Sequence, residues 1–307
     1  MAKLIEITGK ALSGEWGTDD ETGCGIPVLR TTNFTNEGIV NYRNVVTRTI
    51  TKKKIAEKYL RQGDIIIEKS GGSDKQPVGR VIYFDGPDST YLFNNFTGLL
   101  RVKDRNVWYP RYVFYSLFFN YRRGGTKAFE NKTTGLHNLK VDDYVSRCEV
   151  RVENIQKQVA ICEQLDRIFD IIRARQQQLQ KLDELIKARF VELFGDGNHP
   201  HIALIDLIIE GAGLSYGIVQ PGDDGTGDMG VLRPVDMVDG KISTASIKYI
   251  DRSIGDGFKK TELYGDELLI TVRGTTGITA LTDIRFNGMN VTRGIAVVRY
   301  DRNKINP

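Results

Sequence analysis

The sequence predicts an α/β protein in which two β-rich domains are joined by a long helix of the coiled-coil type. Runs of β-branched residues bounded by turn residues occupy the first and last parts of the chain. Between them, residues 152–194 contain no proline or glycine, and their apolar residues recur in steps of three and four. A chain of 307 residues accommodates roughly two domains. The predicted boundaries are 1–145 for the first β-rich domain, 146–196 for the helix and 197–307 for the second.

The strand predictions depend on two runs in particular. Val78–Phe84 and Gly294–Tyr300 are rich in Val, Ile and aromatic residues, and Gly, Pro, Asp or Asn flank both runs. This composition is typical of strands that end in tight turns.

The two β-rich domains are predicted to be copies of each other. Four short segments recur in the same order at similar offsets, which indicates a duplicated domain rather than a solenoid of short repeats. The matched segments are Val28–Arg30 with Val231–Arg233, Gly63–Ile67 with Gly265–Ile270, Asn95–Thr97 with Asn290–Thr292, and Asp104–Asn106 with Asp301–Asn303.

The second copy is expected to be incomplete. At the offset of the last match Pro307 corresponds to Pro110, whereas the first copy continues to the helix end near Asp196. We therefore expect a C-terminally truncated chain that lacks the natural partner of the long helix.

The long helix is predicted to carry one apolar seam and to end at Gly195–Asn198. About 40 residues of helix span roughly 60 Å, which is longer than one compact domain needs. The remaining faces are polar with balanced charge, as on the outside of a coiled coil, so we assign the helix to protein contacts and spacing. The seam residues are Val159, Cys162, Leu165, Phe169, Ile172, Leu179, Leu182, Ile186 and Phe190.

Charge and composition limit the class of protein. Residues 1–145 carry 22 Lys and Arg against 16 Asp and Glu, an excess that favours a polyanionic partner such as nucleic acid. The three cysteines have no CxxC spacing, so we expect reduced thiols. Neither a signal peptide nor a long apolar run occurs, and we expect a soluble, cytoplasmic protein with no membrane partner.

Motifs for catalysis are absent. Gly222–Gly227 is rich in glycine, but it is acidic and lacks the lysine of a phosphate-binding loop. His137, His199 and His201 do not have the spacing of metal ligands, so no metal is expected.

A carboxylate pair for a nuclease is conceivable at Asp64 and Glu68. However, Asp64 follows Gly63 in a turn, and no lysine stands at the third position of such a site. We therefore expect a protein that is not an enzyme on its own. A DNA-acting nuclease or methyltransferase with unrecognised motifs, and a coiled-coil adaptor that binds only protein, remain the alternatives.

Polar, glycine-containing loops at 68–80 and 273–277 are the main candidates for binding DNA. Glycine lets the backbone approach a surface, Ser and Thr donate to phosphate oxygens, and Lys, Arg or Gln reach base edges. A solvated loop without a binding role is the alternative. The candidate DNA-binding residues are Arg30, Thr31, Thr32, Lys69, Ser70, Gly71, Gly72, Lys75, Gln76, Arg80, Arg122, Arg123, Arg233, Arg273, Thr275, Thr276 and Arg293.

The aromatic run at 107–119 has two interpretations. Stacking of bases on aromatic side chains is conceivable, but dense and nearly continuous apolar residues favour a buried helix. Arg122 and Arg123, which follow the run, can still contact phosphate.

Several of these segments resemble the specificity (S) subunit of type I restriction-modification systems, an HsdS-like family. Leu179–Asp196 resembles the central conserved helix of that family, and Gln156–Ile161 resembles its start. The turns Gly63-Asp64 and Gly265-Asp266 with the loops that follow them are similar to the strand and loop of target recognition domains. Asn290–Ala296 is similar to another recurrent segment of those domains.

The resemblance implies a DNA reader without catalytic activity. Two target recognition domains would each read half of a split site on double-stranded DNA, with the long helix as spacer. The helix would also dock methyltransferase (M) subunits, which bind S-adenosylmethionine, so that no cofactor is expected in this chain. A restriction (R) subunit would join for cleavage. Because the seam has no partner helix of comparable length in the chain, self-pairing with a second copy is also expected.

Overall fold

A computed structural model describes residues 1–52, 55–74, 76–133, 136–195, 197, 200–225 and 227–306. The chain forms two compact units, Met1–Ile186 and Lys187–Pro307, which we call unit one and unit two. The α/β class with several sheets and one long helix is confirmed. The domain boundaries at 145 and 196 stay predictions.

Unit one holds the four α-helices of the described chain, the last of which continues into unit two. The helices are α1 (Leu4–Thr8), α2 (Pro110–Arg122), α3 (Val141–Arg147) and α4 (Ile155–Phe194), with 3-10 turns at Thr31–Asn33, Ala56–Lys58 and Lys127–Phe129. The strands are β1 (Ala2–Lys3), β2 (Leu12–Ser13), β3 (Thr18–Asp19), β4 (Ile26–Leu29), β5 (Val46–Thr49), β6 (Ile65–Glu68), β7 (Ser70–Gly72), β8 (Val81–Tyr83), β9 (Leu92–Phe93), β10 (Thr97–Leu100), β11 (Glu130–Thr133), β12 (Leu136–Leu139) and β13 (Glu149–Val150).

The central strand of unit one is β6. Its sheet has the order β2-β10-β6-β8, and a second sheet has the order β3-β5-β4-β9. Ile65 and Ile67 join a core that includes residues of α2, whereas Ile66 joins a second core with Phe84 and Phe93. Because alternate side chains of a strand point to opposite faces, β6 separates the two cores and is buried on both sides.

Unit two has a similar set of strands. They are β14 (Ser215–Tyr216), β15 (Met229–Leu232), β16 (Met237–Val238), β17 (Lys241–Ile242), β18 (Lys248–Ile250), β19 (Leu268–Thr271), β20 (Thr279–Leu281), β21 (Asn290–Val291) and β22 (Ile295–Val298), with 3-10 turns at Leu204–Leu207, Pro234–Asp236, Arg252–Thr261 and Ile284–Phe286. The sheets have the orders β14-β22-β19-β20, β18-β15-β21 and β16-β17.

The strand orders confirm the predicted duplication. The order β2-β10-β6-β8 of unit one corresponds to β14-β22-β19-β20 of unit two, and β5-β4-β9 corresponds to β18-β15-β21. Even the direction of pairing agrees, since β4 and β9 are parallel, as are β15 and β21.

The match of Asn95–Thr97 with Asn290–Thr292 is wrong. The parallel pairs place Phe93 opposite Leu29 and Val291 opposite Leu232, so Phe93 corresponds to Val291. Asn95 therefore cannot correspond to Asn290, and the true offset exceeds the matched one by three residues. Hydrogen bonding between strands fixes this register, whereas a three-residue sequence match carries little information.

A buried carboxylate begins the central strand of unit one. Asp64 is fully buried and accepts hydrogen bonds from Nε (2.8 Å) and Nη2 (2.6 Å) of Arg101. The same guanidinium donates to the carbonyl oxygens of Glu57 and Tyr59 at 2.9 and 2.8 Å. One arginine thus neutralises the carboxylate and holds the preceding loop, an arrangement that we call the strand-start pair.

Unit two repeats the strand-start pair with another carboxylate. Glu267 is 2% exposed and lies before β19, with one oxygen 3.7 Å from Nε of Arg299. Arg299 donates to the carbonyl oxygens of Lys260 and Glu262 at 2.6 and 2.5 Å. Both copies therefore bind the loop before the central strand in the same way.

Helix α4 begins on a cap and is anchored to α2. Asn154 Oδ1 accepts from the backbone N–H of Lys157 at 2.8 Å, so the helix begins at Ile155, three residues into the proline- and glycine-free run that starts at 152. The fully buried side chain of Gln158 accepts from the N–H of Tyr109 at 2.8 Å. Arg111 of α2 donates to Asp166 of α4 at 2.5 and 3.0 Å. The helix ends at Phe194, one residue before the predicted stop begins at Gly195.

Other predictions of local structure are also confirmed. The run Val78–Phe84 contains β8, and Gly294–Tyr300 contains β22. The aromatic run forms most of α2, a helix with a mostly buried face. Within the described ranges, no helix is long and apolar enough to span a lipid bilayer.

Replacing Arg101 by leucine is expected to lower the free energy of unfolding of unit one by about 3 kcal/mol, because the buried Asp64 carboxylate loses its ion-pair partner. Both tryptophans of the chain, Trp16 and Trp108, lie in unit one, so denaturant unfolding followed by tryptophan fluorescence reports on this unit. Arg105→Leu, at an exposed side chain, is the control and should change stability by less than about 0.5 kcal/mol. Equal stability of both variants would contradict the role of the strand-start pair.

Candidate nucleic-acid interface

Between β6 and β8, the described residues 69–74 and 76–80 pack against the turn at Thr31–Asn33. Arg80 Nη2 donates to the carbonyl oxygen of Thr31 at 3.3 Å, and Nη1 donates to that of Phe34 at 3.4 Å. Gln76 Nε2 donates to Asn36 Oδ1 at 3.0 Å. The structure therefore brings Arg30, Thr31 and Thr32 beside the predicted loop, and Thr32 is exposed.

The C-terminal end of α2 joins the same surface. Tyr121 donates its hydroxyl to the carbonyl oxygen of Pro77 at 3.0 Å. Gly79 has φ 106° and lies so close to Thr126 that a Cβ atom would come within 2.7 Å of that side chain. We call this surface, formed by residues 31–36, 69–74, 76–80 and 121–127, the unit-one face.

Cations line one edge of the unit-one face. Arg122, Arg123 and Lys127 surround a cleft of about 440 Å³ and are all exposed. No ion pair neutralises these three side chains within the described part of the chain. Their charges are therefore available to an anionic partner, and the expected contact of Arg122 and Arg123 with phosphate stays a prediction.

Part of the predicted flexible loop is a strand. Ser70–Gly72 form β7, which pairs with β12, so the prediction of a loop is wrong for Ser70, Gly71 and Gly72. The open edge of β12, a segment distant in sequence, supplies the hydrogen bonds that make this strand. Lys75 lies outside the described residues.

Lys69 is engaged within unit one. Its ammonium group donates to Ser13 Oγ at 2.8 Å, and burial lowers the pKa of this group below its usual range. A half-buried ammonium that already has a partner gains less from phosphate than an exposed one. The prediction that Lys69 binds DNA stays a prediction.

Arg30 and Arg233 occupy equivalent positions but differ electrostatically. Arg233 forms an ion pair at 3.0 Å with Asp236, which is fully buried. In unit one the equivalent residue is the neutral Asn33, and the Nε atom of Arg30 is buried without a hydrogen-bond partner among the described residues. Arg30 therefore keeps a net positive charge at the unit-one face, whereas Arg233 is neutralised.

Three predicted segments also converge in unit two. The N–H of Val272, at the base of the hairpin 272–277, donates to the carbonyl oxygen of Gly294 at 2.8 Å. A Cβ atom at Gly294 would lie 2.6 Å from Pro234, which follows Arg233. We call the surface formed by residues 233–234, 272–277 and 292–294 the unit-two face. Its exposed candidate residues are Arg273, Thr275, Thr276 and Arg293.

The sequence analysis missed Phe96. Its carbonyl oxygen accepts from the N–H groups of Lys69 and Ser70, and its side chain is 52% exposed. Gly294 occupies the equivalent place in unit two. A large exposed aromatic residue at the base of a polar hairpin is suited to stack on a base or to contact a thymine methyl group. The only signal in the sequence is an aromatic residue between two polar ones in a turn.

The two carboxylates considered for a nuclease site belong to separate ion pairs. Asp64 at the start of β6 binds Arg101, and Glu68 at its end binds Arg80 at 2.8 Å. Four residues of strand separate them by about 13 Å, too far for both to hold one metal ion. Within the described ranges, no group of three or more His, Cys, Asp or Glu side chains is placed to hold a metal ion.

The predicted helix seam divides into two parts. Cys162, Leu165 and Phe169 pack against the core of unit one, Val159 is half-buried, and burial raises the pKa of the Cys162 thiol to about 12. From residue 171 onward every described side chain of α4 is exposed. The exposed seam residues are Ile172, Leu179, Leu182, Ile186 and Phe190, and the other exposed apolar residues are Ile168, Ile171, Leu185, Val191, Leu193 and Phe194.

Comparison with known proteins matches this chain to one sequence family and to one curated relative. Residues 2–184 match the sequence family described as the type I restriction modification DNA specificity domain. The EcoBI specificity subunit of a type I restriction enzyme from Escherichia coli is 29% identical over 83 residues, which cover 27% of this chain and 17% of that subunit. The chain thus matches less than one fifth of the length of this curated relative.

One solved structure shares the fold at low identity, and a second match is weaker. A chain from a study of complex assembly and conformational transition of the type I R-M system has a TM-score of 0.56 at 13% identity, and the match covers 98% of this chain and 75% of that chain. The S subunit of a type I restriction-modification system from M. genitalium has a TM-score of 0.43 at 16% identity, with coverage of 99% and 72%.

Because Arg233 has a buried ion-pair partner and Arg30 has none, loss of the two arginines should affect stability differently. Arg233→Ala leaves the buried Asp236 without its ion-pair partner and should destabilise unit two by about 1–3 kcal/mol. Hydrogen exchange of the β15 amides, followed by mass spectrometry, measures this effect. Arg30→Ala is the matched control and should change the exchange of the β4 amides much less. Similar effects at both positions would contradict the electrostatic difference.

Proposed function

The chain belongs to the type I restriction modification DNA specificity family, and from that premise we propose that it is the DNA-reading subunit of a type I restriction-modification complex. Each unit reads one half of a bipartite site on double-stranded DNA. The observation that carries the proposal is the convergence of three separate segments on one face in each copy of the duplicated domain.

The chemistry of the two faces supports this proposal. Exposed cations at the edge, such as Arg122 and Arg123, suit phosphate oxygens, which set affinity and orientation. Polar side chains nearer the centre, such as Gln76 and Thr275, suit base edges, which carry the sequence information. The faces differ in residues, so the two half-sites are expected to differ in sequence.

We assign no catalytic step to this chain. Methyl transfer to DNA belongs to M subunits, which would bring S-adenosylmethionine as their own cofactor, and cleavage belongs to an R subunit. The cytoplasm, where the DNA is, is the proposed location. The DNA specificity family and the absence of recognised catalytic motifs in the sequence support this division.

Helix α4 is proposed as the spacer and as a docking surface. Its 40 residues extend over about 60 Å, and apolar side chains such as Leu182, Ile186 and Phe190 are exposed. Exposed apolar residues in such number suit burial against another helix. The proposed partners are M subunits, the same helix of a second copy, or both.

Selection from a pool of random duplex DNA tests the proposed function. The purified chain should enrich a sequence with two specified parts separated by unspecified base pairs. Loss of all enrichment together with binding to M subunits alone would favour the adaptor alternative. Methylation of DNA by the chain alone with S-adenosylmethionine would instead favour an enzyme.

Removing two edge cations should weaken binding to all sequences alike. For Arg122→Ala with Arg123→Ala, the plot of log affinity against log salt concentration should become shallower by about 2, because two phosphate contacts are lost. Fluorescence anisotropy at several salt concentrations measures this slope. The control, Lys181→Ala with Lys187→Ala on α4, removes the same charge and should leave the slope unchanged. An identical change in both double variants would contradict a local phosphate contact.

Charge on the exposed part of the helix should prevent its association. Leu182→Glu with Ile186→Glu is expected to convert a self-associated chain to a monomer, or to abolish co-purification with M subunits, without loss of folding. Light scattering and co-purification measure these effects. The control is Asp183→Glu with Lys187→Arg, which preserves every charge on the same turns. Unchanged association of the Leu182 and Ile186 variant would remove this segment as a docking surface.

A further inference from the structure

A second buried ion pair closes the central strand of unit one at the end that faces the hairpin. Glu68 is 1% exposed, and its two carboxylate oxygens accept from Nε and Nη2 of Arg80 at 3.0 and 2.8 Å. We call this the strand-end pair. The N–H of Glu68 also donates to the carbonyl oxygen of Arg80 at 2.8 Å, so the two residues are neighbours in both backbone and side chain.

The strand-end pair connects three segments of the unit-one face. Arg80 donates to the carbonyl oxygens of Thr31 and Phe34, in the turn after β4. A Cβ atom at Gly71, in the outgoing arm of the hairpin, would lie 3.5 Å from Glu68 Oε1 and 4.0 Å from Thr31 Oγ1. One guanidinium and one carboxylate thus hold both arms of the hairpin and the adjacent turn.

In unit two, the base of the equivalent hairpin is closed by uncharged residues. The strand registers place Thr271 at the position of Glu68, since Glu68 lies opposite Thr97 in β10 and Thr271 lies opposite Ile295 in β22. The N–H of Thr271 donates to the carbonyl oxygen of Ile278, which therefore stands where Arg80 stands in unit one. The N–H of Ile278 returns a hydrogen bond to Thr271 Oγ1 at 2.9 Å. A neutral pair is therefore sufficient to close a hairpin in this fold.

We propose that the strand-end pair of Glu68 and Arg80 is a positioning device that sets the base preference of the unit-one face. This inference rests on the proposed function and changes the role of Arg80 from a DNA contact to a positioning residue. Its guanidinium is occupied by Glu68 and two carbonyl oxygens, whereas Gln76, Thr32 and Phe96 have side chains at or near the surface.

Stability alone does not account for a charged pair at this place. Replacement of a buried ion pair by well-packed neutral residues is often neutral or stabilising, because two desolvated charges cost about as much as they gain. Bidentate geometry, in contrast, fixes both distance and angle between the partners. The pair occurs in unit one, where more residues lie between the two closing residues than in unit two.

The test exchanges the pair for the solution found in unit two. Glu68→Thr with Arg80→Ile, made in the full chain, should retain the unfolding transition of unit one seen by tryptophan fluorescence. In selection from random duplex DNA, the same variant should lose about tenfold or more of the base preference at one half-site, within the range by which one misplaced bidentate contact alters discrimination. The base preference at the other half-site should be unchanged. Arg273→Ala, which alters the unit-two face, identifies which half-site belongs to which unit.

Two single variants separate positioning from direct contact. Glu68→Gln removes the negative charge of a side chain too buried to contact DNA, and the proposal expects it to weaken the preference as well. Arg80→Lys keeps the positive charge but not the bidentate geometry, and it should also weaken the base preference at that half-site. Retention of the parent preference by either variant would overturn the proposal.

A control at the other end of the same strand excludes a general effect of lost stability. Asp64→Asn disturbs the strand-start pair and should lower the unfolding midpoint of unit one while the folded fraction keeps its base preference. An equal loss of preference in Asp64→Asn would assign the effect to stability and overturn the positioning role. If the parent chain itself enriches no sequence, the proposed function fails first.

Discussion

Buried carboxylates that must be neutralised organise this protein. Removal of a carboxylate from water is costly unless a cation and further hydrogen bonds replace the lost hydration. At the start of the central strand, Asp64 in unit one meets this requirement through two hydrogen bonds from Arg101. Glu267 in unit two lies 3.7 Å from Arg299 and accepts its hydrogen bonds from three backbone N–H groups and the Thr282 hydroxyl. In both copies the arginine also holds a loop by its carbonyl groups. The position of the strand, of the loop before it and of the neighbouring strand that carries the arginine are thereby fixed together.

The consequence is a rigid frame with variable ends. In both copies the frame keeps the same strand order and the same parallel pairing, although the residues of the core differ. The hairpin that follows the central strand differs in length, in residues and in the way its base is closed. This separation suits recognition of DNA. The frame holds the side chains in fixed positions, whereas the residues of the hairpin can change without altering the frame.

Much of the frame could be predicted from the sequence, because its signals are local or periodic. The seam of α4 repeats over many turns, and strong β-branched runs mark β8 and β22. Register could not be predicted in the same way. The match of Asn95 with Asn290 looked as good as the others, but only hydrogen bonds between strands distinguish it from the true correspondence of Phe93 with Val291.

The candidate site shows the same limit. From the sequence, Glu68 and Asp64 could be considered only as a doubtful carboxylate pair, because sequence alone does not place Arg80 and Arg101 against them. Phe96 was missed since burial, not residue type, distinguishes an exposed aromatic side chain from a core one. The convergence of Arg233, Arg273 and Arg293 in unit two likewise depends on contacts between segments that are far apart in sequence.

The hairpin of each unit lies between two residues that hydrogen-bond to each other across its base. These closing residues mark where a hairpin could be exchanged between genes as one segment. A recombination event that transferred only residues 69–79 into the second copy would place them between Thr271 and Ile278. The transferred hairpin would then close without the ionic geometry that it has in its own copy. An event that included Glu68 and Arg80 would carry that geometry along. The heritable module for a new specificity in this scaffold is therefore the hairpin together with its closing residues, and natural variation should show these residues changing together with it.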